Sequence, residues 1–111
     1  MATNYLQDGD ILNFTAPYAV ASGGGFLVGS LFAVALSAAA SGASVQGKRT
    51  GVWTLPKLQA DDVSVGAKLY WDNTNKRLTL TSSGNTLVGA AIAAAGTSAT
   101  TVSVLLDGAV R

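Results

Sequence analysis

From Ile11 to Gly47 the chain carries no charged residue. Three structures tolerate such a stretch: a membrane span, a cleaved signal segment, or buried strands joined by turns of small residues. A signal segment begins with basic residues followed closely by an apolar core. Residues 1–10 contain no Lys or Arg and do contain Asp8 and Asp10, so no signal segment is expected. A span needs about 20 predominantly apolar residues. The best window, Gly25 to Ser44, is broken by Gly29, Ser30, Ser37, Ser41 and Gly42. The stretch therefore predicts short strands and small-residue turns, with no membrane association.

The rest of the chain follows the same pattern. Asp10 to Thr15 predicts a strand with Ile11, Asn13 and Thr15 on one side and Leu12 and Phe14 on the other, ended by Pro17. Ser22-Gly23-Gly24-Gly25 predicts a turn, because consecutive glycines disfavour helix and strand interiors alike. Phe26 to Leu36, interrupted at Gly29 and Ser30, predicts two short strands or one bent strand, and Ser37 to Gly42 a turn. Ser44 to Leu55 supplies two more strands, closed by Pro56. Asp61 and Asp62 fall in a polar loop. Ala67 to Trp71 and Arg77 to Thr81 form a hairpin across Asp72-Asn73-Thr74-Asn75-Lys76, since Asn and Asp accept left-handed turn positions. After a turn at Ser82 to Asn85, Leu87 to Ala93 and Thr101 to Leu106 complete the set, separated by Ala94 to Ala99. The expected fold is one all-β, mostly antiparallel domain over residues 1–111, a small barrel or sandwich with at most one short helix. Leu12, Phe14, Phe32, Val34, Val52, Leu69 and Leu78 are the expected core.

A weak internal echo raises the question of a duplicated architecture. Leu27-Val28-Gly29 followed by Ala33-Val34-Ala35 resembles Leu87-Val88-Gly89 followed by Ala91-Ile92-Ala93, and each copy leads into an Ala, Gly and Ser linker and a Val-containing strand. Strand composition alone also produces so short a match. The glycine after Val suits a bulge or a sharp bend at the corner of a small barrel.

Residue inventory removes most chemistry. There is no Cys, which excludes disulfides and thiolate chemistry, and no His, which removes the commonest proton carrier and metal ligand. Gly24 and Gly29 have the spacing of phosphate-loop glycines, but Ser30 stands where the lysine is required. A dinucleotide fingerprint starting at Gly23 and Gly25 meets Val28 at its third glycine. Gly42-Ala43-Ser44-Val45-Gln46 lacks the last glycine of a nucleophile elbow and any histidine base. The loop Asp72-Asn73-Thr74-Asn75 lacks the glycine and closing Glu of a calcium loop. Asp8 with Asp10, and Asp61 with Asp62, are carboxylate pairs for which no cleft is predicted. No catalytic, cofactor or metal residue is assigned, and no enzyme is expected. Seven Lys and Arg against six Asp give a formal net charge of +1, too little basic charge for nucleic-acid binding.

The remaining signals concern surfaces. Charged residues make up 12% of the chain and hydrophobic ones 49%, so a monomer this size would expose apolar patches that association hides. Trp53, Leu55 and Pro56 are candidate subunit-interface residues, because an apolar strand end closed by proline lies against a neighbour without a ladder bond to donate. Trp53, Trp71, Tyr5, Tyr18 and Tyr70 also allow an aromatic platform, and with it a carbohydrate-directed binding module of a larger appendage. In a strand, Tyr70 and Trp71 point to opposite faces, so one joins the core and the other the surface.

Asn4-Tyr5, Gly9-Asp10, Val28-Gly29-Ser30-Leu31-Phe32-Ala33-Val34-Ala35, Gly51-Val52-Trp53-Thr54-Leu55-Pro56-Lys57, Tyr70-Trp71-Asp72 and Leu87-Val88-Gly89 occur in order across nearly the whole chain. Their combination resembles a family of small tailed-phage proteins, the capsid cement or head decoration proteins, formerly a domain of unknown function. Members often carry acidic residues around the Ala-rich linkers, where this chain has only Ser, Ala, Gly and Thr. The resemblance implies a structural virion protein, made in the host cytoplasm, on the outer surface of the capsid. Its implied partners are the major capsid protein, whose subunits it bridges and stabilises, and itself, as a homotrimer. Residues 1–8 then form a candidate N-terminal arm with Asn4, Tyr5 and Leu6 as candidate capsid contacts; the alternative is that Tyr5 and Leu6 pair with the domain's own sheet.

Overall fold

In a computed structural model, residues 9–109 are described. They form nine strands and no helix: β1 (Ile11–Thr15), β2 (Gly25–Val28), β3 (Leu31–Ala35), β4 (Ser44–Lys48), β5 (Thr50–Pro56), β6 (Lys68–Asp72), β7 (Arg77–Thr79), β8 (Thr86–Ala91) and β9 (Thr101–Asp107). The all-β, antiparallel reading holds. Phe26 to Leu36 resolves into two strands, because Gly29 takes a positive φ of 60° while Ser30 does not, the requirement of a tight hairpin turn between Val28 and Leu31. In the β6–β7 turn the left-handed position falls to Lys76, at φ 57°, rather than to an Asn or Asp. Asp72 instead ties the turn: its carboxylate accepts from the Thr74 and Asn75 amides and the Asn75 side chain.

The strands make two sheets, in the orders β1-β4-β3-β2 and β5-β9-β8-β6-β7. These are one arrangement built twice, with β7 and its turns inserted where the first half has only Gly29 and Ser30. The register repeats residue by residue: Phe14 pairs with Val45 as Leu55 does with Val102, Gly25 with Val34 as Lys68 does with Ala90, and Ala35 with Gly47 as Ala91 does with Val104. The linkers repeat too. Val20 and Ala39 exchange backbone hydrogen bonds of 2.9 and 3.0 Å, and Val63 and Ala95 exchange theirs at 2.8 and 2.9 Å. Gly23 and Gly66, with φ of 83° and 85°, donate to Ala35 and Ala91 in the same way.

The duplicated architecture is therefore present, but the sequence echo matches the wrong residues. Leu27-Val28-Gly29 belongs to β2 and its turn, whereas Leu87-Val88-Gly89 lies in β8, the counterpart of β3. Ala33-Val34-Ala35 corresponds to Gly89-Ala90-Ala91, two residues before the match the echo picks out. The two glycines also differ in role. Gly29 turns a hairpin, while Gly89 follows a bulge: Leu69 pairs with Gly89 and Tyr70 with Leu87, leaving Val88 as the extra residue.

Each half rolls around its own interior. Phe14, Val20, Phe26, Ala33, Ala35 and Val45 fill the first, with the Phe14 and Phe26 rings edge-on at 5.2 Å. Their counterparts Leu55, Val63, Leu69, Ala91 and Val102 fill the second, joined there by Trp71, Leu78, Val104 and Leu106. A bridge between Lys57 and Leu78 brings the end of β5 back to β7, curling this sheet into a half-barrel. The halves are joined because the far face of β3 in the first, Phe32 and Val34, is part of the second interior, where Phe32 lies 4.9 Å from the Trp71 ring.

Of the expected core, Phe14, Phe32, Val34, Leu69 and Leu78 are buried and Leu12 is half-buried against the first interior. Val52 is the exception, at 55% exposed. On β5 the residues facing the interior are Trp53 and Leu55, so alternation turns Val52 outward, opposite Leu105 of β9.

Candidate functional site

Among the described residues, no group of three or more His, Cys, Asp or Glu side chains is placed to hold a metal. The acidic side chains with resolved partners are used by the fold. Asp72 is held below the usual carboxylate range, chiefly by the hydrogen bond from the Asn75 side chain. One Asp61 oxygen accepts from the Thr79 hydroxyl and the Leu80 amide, both at 2.9 Å, fastening the loop after β5 to the strand β7.

Lys57, only 4% exposed, acts on the same loop. Its Nζ donates to the carbonyls of Leu58, Gln59 and Asp61 at 3.0, 3.1 and 2.7 Å. The three N–H bonds of an ammonium are thus matched one for one. Sequence reading takes Lys57 as a family motif residue and misses this role, for which the lysine directly after the strand-ending Pro56 is the sole local sign. Replacing Lys57 by Met keeps the stem but strands three carbonyls. The expected loss is about 2–3 kcal/mol in urea denaturation, and a variant as stable as the parent would show that the loop does not depend on the ammonium.

Arg49, the single residue between β4 and β5, gathers the ends of the described chain. Its guanidinium donates to the carbonyls of Gly9 and Gly108. Gly9 and Gly108 are thereby held to one side chain. The candidate capsid contacts Asn4, Tyr5 and Leu6 lie outside the described residues.

The candidate interface residues separate. Leu55 is wholly buried and supplies no surface, Trp53 is half-buried with its indole N–H on the Thr50 carbonyl at 2.9 Å, and Pro56 is exposed at the end of an edge strand. The aromatic side chains are dispersed by packing. Trp71 is 1% exposed, with its N–H on the Asn73 side chain, while Tyr70 is half-buried on the opposite face. The Tyr18 hydroxyl donates to the Gly25 carbonyl at 2.7 Å, and burial pushes this phenol up to about 12. Lys76 sits 4.3 Å over the Tyr18 ring, beside a groove of about 230 Å³ between the halves. With Trp71 in the core, no exposed platform for a sugar includes it.

An exposed apolar surface lies on the outer face of the second sheet. Val52, Leu105, Ala90 and Lys68 form one row across β5, β9, β8 and β6, with Val52 and Leu105 exposed. Leu87, Ala90 and Leu105 line a shallow depression of about 300 Å³ bordered by Lys68 and Asp107. Sequence reading missed Leu105. The signal was present: Thr101, Ser103, Leu105 and Asp107 share the outward face of β9, and Leu105 is the one apolar member of that set.

A family model described as phage cement protein matches residues 6–106 of the chain. No curated protein and no solved structure matches it.

Proposed function

The chain belongs to the phage cement protein family, and on that premise we propose that it decorates the outer surface of a phage capsid, bridging neighbouring major capsid protein subunits as a homotrimer. The observation that carries the reading is the family match across 6–106, spanning every strand up to the penultimate residue of β9. The physics of such a role is linkage. A protein that binds the assembled shell across subunit boundaries, and not the separated subunits, adds its binding free energy to the shell's resistance to disassembly. A compact β domain with a low charge content suits this, since it presents apolar area without many ions to desolvate.

In this reading Pro56 and the edge of Trp53 lie at contacts between copies, and residues 1–8 form the arm that meets the shell. The experiment adds purified protein to shells lacking decoration and measures both binding and the temperature at which shells come apart. Binding with a raised disassembly temperature is expected; failure of the intact protein to bind any such shell would sink the proposal. Deleting Ala2 to Leu6 is expected to weaken binding by at least tenfold, the equivalent of about 1.4 kcal/mol. Full-strength binding by a correctly folded truncation would eliminate the arm.

A further inference from the structure

The internal repeat extends to a corner that neither interior uses. Leu36 and Ile92 are the first residues after β3 and β8, and their amides donate to the carbonyls of Gln46 and Ser103 at 2.9 and 3.1 Å. A few residues on, the amides of Ala43 and Ala99 donate to the carbonyls of Ala40 and Gly96 at 3.0 and 3.1 Å. Between these bonds, Ala39 and Ala95 are held by their bridges to Val20 and Val63. The side chains are set out alike as well. Leu36, Ser37 and Ala38 are exposed in the first corner, and Ile92, Ala93 and Ala94 in the second. Packing does not account for the aliphatic at the head of each. Leu36 is 40% and Ile92 46% exposed, and neither belongs to an interior. Where the halves do pack, the repeat is filled with different side chains: Phe14 and Phe26 stand where the second half has Leu55 and Leu69. At the corner both halves instead present a large aliphatic whose apolar area folding leaves unused.

We propose that the two corners are matching contacts for the shell, with Leu36 and Ile92 each resting on the same apolar surface of a different major capsid protein subunit. The inference rests on the bridging role proposed above and gives that role a surface. A shell repeats one subunit and so offers one surface many times. A chain that carries one corner twice can take two of those surfaces at once, and two contacts on one body bind far more tightly than either alone. No charged residue lies from Leu36 to Ser44 or from Ile92 to Thr101. The partner surface is therefore uncharged, because a charged one would be desolvated there without a counter-ion. The groove between the halves ties the corners together. It is lined by Val20, bridged to Ala39 of the first corner, and by Pro56, paired with Thr101 just beyond the second.

The test uses shells lacking decoration. Leu36→Asp and Ile92→Asp, singly and together, are compared with the parent for binding and for the temperature at which decorated shells come apart. Thermal melting checks folding, and Leu36→Ser and Ile92→Ser replace any aspartate variant that does not fold. Each folded single variant is expected to bind roughly 100-fold more weakly. At saturation it is expected to leave the disassembly temperature near that of bare shells, since a protein held at one corner does not bridge. The double variant is expected to lose measurable binding. Val52→Asp, at an exposed aliphatic outside both corners, is expected to behave as the parent. A folded double variant that binds and protects as the parent does, a loss confined to one corner, or an equal loss in Val52→Asp overturns the paired corners while leaving the capsid role standing. A parent that binds no shell overturns that role and this inference with it.

Discussion

Replacing Trp71 by alanine is expected to lower folding stability by about 4 kcal/mol, the upper range for truncating a large buried aromatic. For a domain of about 100 residues this corresponds to a melting temperature lower by roughly 20 °C. Trp71 is 1% exposed and does three things at once. Its ring packs 4.9 Å from Phe32, so it joins the halves; it closes the second interior beside Leu69 and Leu78; and its N–H is held by Asn73. Space around it has been cleared by Gly25, where a Cβ would stand 2.8 Å from Phe32 and 3.0 Å from Trp71. Trp71→Phe is expected to recover at least half of the loss. An alanine variant within about 1 kcal/mol of the parent would mean that the halves are not held together through this ring.

Gly89→Ala is expected to be as damaging, through backbone rather than side-chain crowding. A Cβ at Gly89 would lie 2.1 Å from the Leu105 carbonyl oxygen and 3.0 Å from its carbon. Neither atom can turn aside as a side chain can. The strands β8 and β9 must part where Gly89 faces Leu106 and Ala90 faces Leu105, at an expected cost of at least about 3 kcal/mol. Gly29→Ala makes the contrast, since that glycine has open space around it and only its positive φ is at stake, a cost of about 1 kcal/mol. Chemical denaturation of both variants reads the difference. If Gly89→Ala proved the milder, the close approach of β8 to β9 would be wrong.

Both substitutions act on positions that look ordinary in the sequence. Gly89 reads as the partner of Gly29 because each follows Leu-Val, yet one glycine is required by conformation and the other by the nearness of a strand more than ten residues away. The bulge at Val88 has the same origin. It buries two successive residues, Val88 and Gly89, and so breaks the alternation from which register is read. The echo was misaligned for this reason: corresponding positions in the halves are defined by pairing partners, and the inserted β7 hairpin shifts them relative to the letters of the sequence.

The amino-acid order by itself determined the local elements and the kind of function. Alternation in Ile11 to Thr15, the interruption at Gly29 and Ser30 and the 72–76 hairpin depend on neighbours a few residues away, so they are legible without the fold, although whether the interruption makes a turn or a bend is not. The missing Cys and His and the sparse charge likewise direct attention from chemistry to surfaces. Tertiary structure alone decided which apolar faces are covered. Val52 and Leu55, or Leu105 and Leu106, are alike as letters, but one of each pair faces an interior and the other solvent. That choice is set by which sheet packs on which, a non-local matter: Phe32 and Val34 are buried because the second half lies over them, whereas Leu105, on the outward face of β9, is 46% exposed.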